Sequence, residues 1–350
     1  MNNLLQNKRR LAIICSVLGV LVLAVGVGLG LAAAGEGYTL TTYSMGSYVQ
    51  QTVYGGNREE AAAAASSAVT ELEGLISRNV ADSDIIRLNQ AAGTEFLEID
   101  QRTWDVLNTS LQVCQASNGA FDITIGPISG LWGFDTQEPH LPQDSTIQSL
   151  LPMVDYENLS LLEDGTAALQ VHGTALDLGA VGKGAGCDAA IAAYQENGAD
   201  RAIVSVGGSV GVYGRKPGDQ PWRIAVRDPD SDGSLGELAI YEGFLSTSGS
   251  YEKTFTQDGV TYHHILDPRT GYPADSDLLS VTVWSPGGAL SDALSTACFI
   301  LGMEESLPLL EEFDSGAIFI TEDHQIYVTE NLQDAFTLAA EGYTLAGVAE

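Results

Sequence analysis

Leu176-Asp177-Leu178-Gly179-Ala180-Val181-Gly182-Lys183-Gly184-Ala185-Gly186 is an apolar strand end that runs into a glycine-rich turn and then into a helix of about 184–195. Glycines at such a junction let backbone N–H groups approach an anion at the positive end of the helix. The turn is not a Walker A loop, because Gly184 follows Lys183 where Ser or Thr would hold magnesium, and its glycine spacing is not G-x-G-x-x-G. On physics alone, a phosphate cradle and a tight packing turn are both open readings.

Outward from this junction the chain alternates strands and helices. Residues 39–54 alternate Tyr, Val and Thr around Met45-Gly46-Ser47, a strand pair. Residues 58–76 and 101–116 read as helices, with a short turn at 83–89 between them. Residues 121–134 are punctuated by Gly and Pro and read as a loop or short strand with little regular structure. A hairpin is expected across Glu163-Asp164-Gly165, then strands at 202–206, 210–213, 222–226, 238–240, 253–255 and 280–283. A helix over 291–301 closes at Gly302. Hydrophobic residues make up 45% of the 350, and charged residues 17%, so the composition is that of a folded globular chain with ample core.

The net charge is −31, and Lys8, Arg9 and Arg10 all precede the first acid, Glu36. The chain beyond residue 35 is therefore more acidic still, which excludes nucleic-acid binding as the function. Residues 11–34 carry no charge, and at about 1.5 Å per residue they are long enough to cross a bilayer core of about 30 Å. The basic cluster before them sets residues 1–10 in the cytoplasm and the rest outside, giving a single-pass protein of the cell membrane with an extracytoplasmic domain. A cleaved signal segment ending near Ala32-Ala33-Ala34 is the alternative reading. Outside Cys15, the expected exported part has Cys114, Cys187 and Cys298, widely spaced and odd in number, with neither a C-x-x-C pair nor a disulfide framework.

Two further segments carry chemistry. Asp292 and Thr296, at i and i+4, share one helical face and offer hard oxygens suited to Mg²⁺, although an acid in a first helical turn is also a common dipole partner. Tyr262-His263-His264-Ile265-Leu266-Asp267-Pro268-Arg269-Thr270-Gly271 gathers imidazole, carboxylate and guanidinium at a strand end, and it is equally ordinary turn chemistry.

Taken in order, Met45-Gly46-Ser47, Ser83-Asp84-Ile85 with Arg87-Leu88-Asn89, Gly119-Ala120-Phe121-Asp122-Ile123-Thr124, the 176–184 turn, and the 264–271 segment with Asp292 and Thr296 resemble the ApbE-type FAD:protein FMN transferases over residues 39–340. Val206-Gly207-Gly208 and Ser248-Gly249-Ser250-Tyr251 are also similar to that family. The resemblance implies an α+β, two-lobed domain over 38–350 with a T-fold-like core, behind an N-terminal transmembrane helix. It implies FAD as substrate, Mg²⁺ as cofactor, and transfer of FMN to a Thr or Ser hydroxyl of an acceptor redox flavoprotein with release of AMP. Met45, Ala120, Phe121, Asp122, Asp177, Lys183 and Ile265 are then the expected FAD contacts. The Ala180 carbonyl with Asp292, Ser295 and Thr296 would hold the metal, and His264, with Asp267 beside it, would handle the proton. Arg78-Asn79-Val80 departs from the family, whose members often carry an aromatic there. A hydrolase splitting FAD with water and a non-catalytic FAD-binding protein are the competing functions.

Overall fold

The computed structural model describes residues 36–136 and 138–349. The expected cytoplasmic tail and transmembrane helix lie outside the described residues, and among the described ones no helix is long and apolar enough to cross a membrane. The chain opens with a hairpin of β1 (Tyr38–Ser44) and β2 (Ser47–Tyr54), turning at Met45 and Gly46 with φ of 53° and 67°. Positive φ at both central residues fits the right-handed twist of the two strands. An N-terminal lobe comes next: α1 (Arg58–Ile76), α2 (Asp84–Gln90), β3 (Leu97–Glu98), α3 (Gln101–Ala116), α4 (Gly126–Trp132), α5 (Asp144–Leu150), β4 (Leu159–Leu161) and β5 (Thr166–Leu169).

The second half runs through α6 (Gly182–Glu196), β6 (Arg201–Val206), β7 (Ser209–Tyr213), β8 (Trp222–Arg227), β9 (Ser234–Ile240), β10 (Gly243–Gly249), β11 (Thr254–Gln257) and β12 (Val260–His263). It ends with β13 (Leu278–Ser285), α7 (Gly288–Leu301), α8 (Met303–Glu312), β14 (Gly316–Thr321), β15 (Gln325–Val328), β16 (Phe336–Leu338) and β17 (Thr344–Val348).

Nine strands form one sheet in the order β1-β2-β6-β7-β10-β13-β14-β15-β17, antiparallel except for the parallel β15–β17 pair. Alternation along β2 and β6 turns Val49, Val53, Ala202, Val204 and Val206 toward Ala61, Ala65, Val69 and Tyr194 on α1 and α6. Farther along the same face, α7 and α3 pack over β13 and β14 through Leu107, Leu294, Ala297, Val281 and Phe319. The opposite face, carrying Leu245, Ile318 and Ile320, is covered by the small β16-β9-β8 sheet through Trp222, Leu238 and Phe336. The molecule is thus helix on sheet on sheet, an α+β arrangement with one apolar layer on each side of the large sheet.

The expectation of a loop or short strand over 121–134 is corrected by α4. Pro127 stands in the first turn, where a missing N–H is harmless, and Gly133 ends the helix with φ of 67°. Trp132 of α4 is fully buried, stacks with Phe134 at 5.7 Å and meets Tyr262 at 5.5 Å, while its indole N–H donates to the Gly271 carbonyl at 2.8 Å. Cys114, Cys187 and Cys298, the cysteines among the described residues, are buried free thiols.

Two helices cross in backbone contact where α6 and α7 begin. A Cβ on Gly184 would collide with the Gly288 carbonyl, and one on Gly288 with the Gly184 carbonyl. Each helix gives an aspartate to the start of the other. Asp188 Oδ1 and Oδ2 accept from the N–H groups of Gly288 at 2.7 Å and Ala289 at 2.8 Å, and Asp292 Oδ2 accepts from the N–H of Gly184 at 2.6 Å. The same Gly-Ala-x-x-Asp pattern therefore occurs twice, at 184–188 and 288–292. Gly184→Ala should destabilise the fold by about 1–3 kcal/mol, as overpacking does. Urea unfolding of the two proteins measures it, and equal midpoints would show that the crossing can relax.

Candidate active site

The glycine turn, the β1–β2 turn, the 120–123 segment and the start of α7 converge on a cleft of about 710 Å³. Met45, Ala120, Phe121, Asp122, Asp177, Ala180, Lys183, His264, Ile265, Asp292, Ser295 and Thr296 all line it. Twelve of the thirteen residues singled out from sequence are thereby brought together.

Asp267 is the exception. Its carboxylate accepts from the Arg269 backbone N–H and Nε at 2.9 Å on Oδ1 and from Nη2 at 2.9 Å on Oδ2, and it does not line the cleft. Its own N–H donates to the Tyr272 carbonyl at 2.8 Å. Asp267 thus builds the 267–272 turn that presents Ile265, Leu266 and Pro268 to the cleft, and the structure does not bring its carboxylate to the cleft with His264, where a part in proton handling was expected.

Arg78, Lys183, Arg227 and Lys253 are the cations of the cleft wall. Arg78 and Lys253 pair with Asp135, Arg78 also with Asp177, and Arg227 with Glu252. Lys183, in the first turn of α6, has no carboxylate partner among the described residues, which leaves it as the cation available to an incoming anion.

Asp292 is buried at 5% exposure and pairs with no cation among the described residues. Its Oδ1 accepts from Ser209 Oγ at 2.6 Å. One turn on, Ser295 Oγ donates to the Asp292 carbonyl at 2.9 Å, and the Ser295 and Thr296 hydroxyls lie 2.9 and 3.3 Å from Ser248 Oγ. A buried carboxylate without a countercharge is costly, and with neutral oxygens around it the donor set fits a hard divalent cation. The residues present therefore suit Mg²⁺.

Asp122 serves the opposite wall. Oδ1 accepts from the Thr124 N–H and hydroxyl, each at 2.7 Å, and Oδ2 from the Tyr156 N–H at 2.9 Å. Burial pushes its pKa up, and these donors oppose the rise. His264 Nδ1 lies 3.1 Å from the Glu252 carbonyl, an acceptor only, so Nδ1 carries the proton and Nε2 is the basic nitrogen of the neutral ring. Burial, reinforced by the charge of Lys253, lowers its pKa to about 4. His263, by contrast, points its Nε2 at the Ala274 carbonyl at 3.1 Å and is not part of the cleft lining.

The sequence matches the ApbE family over residues 45–320. The chain belongs to the ApbE family. A Treponema pallidum protein named FAD:protein FMN transferase is 33% identical over 279 residues, 75% of this chain and 77% of its own. A Klebsiella pneumoniae protein of the same name is 30% identical over 311 residues, 87% of this chain and 96% of its own. The ApbE protein of Thermotoga maritima superposes with a TM-score of 0.80 at 28% identity, covering 86% of this chain and 99% of that one. The flavin transferase ApbE of Vibrio cholerae does so with a TM-score of 0.77 at 25% identity, over 86% and 99%.

Within this ApbE-family cleft several residues escaped the sequence reading. Ser248 carried a signal, since it opens Ser248-Gly249-Ser250-Tyr251, and so did the buried Ser209 behind the cleft, which follows Gly207-Gly208. Ser129, Asp135, Arg227 and Lys253 carried none, because their partners lie far away in the chain, and Arg78 stood out only as a departure from the family's usual aromatic. Lys183→Ala should weaken FAD binding by about 10- to 100-fold, the loss of one charge-assisted hydrogen bond of roughly 1.5–3 kcal/mol, while leaving the melting temperature nearly unchanged. Calorimetric titration with FAD measures the difference, and equal affinity would return the glycine turn to a packing role.

Proposed function

We propose that this chain transfers FMN from FAD to a Ser or Thr hydroxyl of an acceptor flavoprotein, releasing AMP. The observation that carries the reading is the convergence on one cleft of Lys183 and the Asp292 carboxylate, neither with a countercharge among the described residues, and a neutral His264 with Nε2 basic. FAD lies against Met45, the 120–122 segment, Asp177 and Ile265, its pyrophosphate toward Lys183 and the N–H groups at the start of α6. Asp292, Thr296, Ser295 and the Ala180 carbonyl would hold Mg²⁺, which when bound supplies positive charge against the pyrophosphate oxygens.

His264 Nε2 takes the proton of the acceptor hydroxyl. The hydroxyl oxygen bonds to the phosphorus on the riboflavin side, and the bridging P–O bond to AMP breaks. The electron pair leaves with AMP, whose departing phosphate Lys183 and the helix N-terminus stabilise. The Glu252 carbonyl holds the imidazole in the tautomer this step needs. Since the domain is strongly acidic, a local concentration of positive charge is required before an anionic dinucleotide can enter at all.

Incubating the protein with FAD, Mg²⁺ and a flavin-accepting domain should give acceptor carrying covalent FMN by mass spectrometry, with AMP released in equal amount. Abundant free FMN in the absence of acceptor would favour hydrolysis instead. The acid limb of the rate should fall near pH 4, well below an ordinary imidazole at about 6.5, because the base works in its neutral form. For stability the sign is the same. The unfolded chain takes up the His264 proton below about pH 6.5 while the native protein resists it until about 4, so this group costs stability progressively as pH falls through that window.

A further inference from the structure

An ion chain crosses the mouth of the cleft from one wall to the other. Arg78 Nη1 stands 2.8 Å from Asp177 Oδ2, Arg78 Nη2 3.0 Å from Asp135 Oδ2, and Lys253 Nζ 2.7 Å from Asp135 Oδ1. Asp177 belongs to the glycine turn before α6, Arg78 to the segment after α1, Asp135 to the segment after α4, and Lys253 to the turn between β10 and β11. Four segments remote in sequence are tied in series.

The turn at the far end is the one that places His264. Glu252, next to Lys253, offers its carbonyl to Nδ1 at 3.1 Å, and its carboxylate is held by Arg227 Nη1 at 2.9 Å. Lys253 has a φ of 43°, a left-handed backbone that a non-glycine residue adopts only when its surroundings impose it. Tyr251, two residues earlier, lies with its ring 5.3 Å from the Arg227 guanidinium. Backbone pairing flanks the turn, through the Ser250 N–H to the Leu279 carbonyl at 3.1 Å and the Thr254–His263 pair of β11 and β12, and side chains tie the turn itself to the cleft walls.

We propose that Asp177–Arg78–Asp135–Lys253 is a positioning strap that holds the 251–253 turn, and through the Glu252 carbonyl the His264 imidazole, in register with the flavin-binding wall at Asp177. Exposed ion pairs add little to global stability. In series they need only bias the location of one short turn, where a small displacement of a base is expensive to the rate. Because Asp177 is also an expected FAD contact, flavin loading and imidazole placement share one ion chain. The strap rests on the transferase reading for its consequence, not for its geometry.

The test uses the full chain with FAD, Mg²⁺ and an acceptor domain, comparing Asp135→Asn, Lys253→Met and the double variant. The charges facing His264 are Lys253 from the turn, Lys183 from α6 and the neighbouring His263, with the Glu252 carboxylate taken up by Arg227. A bare field effect on the imidazole would make the two single variants act in opposite directions, since they remove charges of opposite sign. A strap makes them act alike. Each should lower kcat about tenfold, with FAD affinity within about twofold and an unchanged melting temperature, and the double should be no worse than either single.

Lys253→Arg should restore most of the rate. Singles that multiply in the double, opposite effects of the two singles, or unchanged kcat would each overturn the strap. The NMR titration of His264 and its Nδ1–H signal, read in the same proteins, are independent of turnover. Loss of that signal in both singles supports the strap, and its retention in both opposes it. Failure of the wild type to modify acceptor would count against the transferase reading instead.

Discussion

The exchange of aspartates between two helix N-termini is the constraint on which the rest of the structure depends. Gly184 and Gly288 let α6 and α7 touch backbone to backbone, and Asp188 and Asp292 each satisfy N–H groups that the other helix cannot satisfy internally. Burial raises the Asp188 pKa to about 6 against the pull of its two donors, with the nearby Asp292 adding to the rise. The two carboxylates are not equivalent. Asp188 spends both oxygens on α7, whereas Asp292, which lines the cleft, gives one to α6 and the other to the buried Ser209. The second copy of the pattern is thus the one that faces the chemistry, and the first is the one that holds it in place.

Charge is distributed to match. Three of the four cations lining the cleft are bound to carboxylates of the cleft itself, leaving Lys183 beside the helix N-terminus as the point where an anion meets positive charge. The paired cations do mechanical work, tying the walls together. Neutral hydroxyls from β10 and α7 fill the space between, with Ser246 and Ser291 2.8 Å apart and Ser248 2.9 Å from Ser295.

That hydroxyl seam explains what sequence pattern could not reach. On the helix-facing side of β10, Phe244 is followed by Ser246 and Ser248 against serines of α7, while Leu245 is buried on the other side, so the strand lacks the apolar alternation that marks a half-buried strand. The helix α4 was hidden by Gly126, Pro127 and Gly133, which are its end signals and read as breakers without tertiary context. The β1–β2 hairpin and α3 were legible because their periodicities of two and 3.6 are clean and their turns carry the right residues. Most of the site was legible for a different reason. Lys183, Asp292, Thr296 and His264 are chemistry-bearing residues inside ordered family blocks, while Asp267, which shares such a block, is consumed by Arg269 in a turn. The ion chain through Arg78 and Asp135 was invisible, because nothing local in either residue announces a partner half a molecule away.

The helix crossing sets Asp292 where a divalent cation would meet it in the proposed transfer reaction. Asp292→Asn keeps size and most hydrogen bonding while removing the only charge in the proposed donor set. The decisive measurement is FMN transfer titrated against Mg²⁺ for wild type and variant, with folding checked by circular dichroism. If Asp292 holds the metal, the variant stays folded, its curve moves to far higher Mg²⁺ and excess metal partly rescues it. Superimposable curves, with only a stability loss of about 0.3–1 kcal/mol of the kind a helix-dipole partner gives, would contradict it.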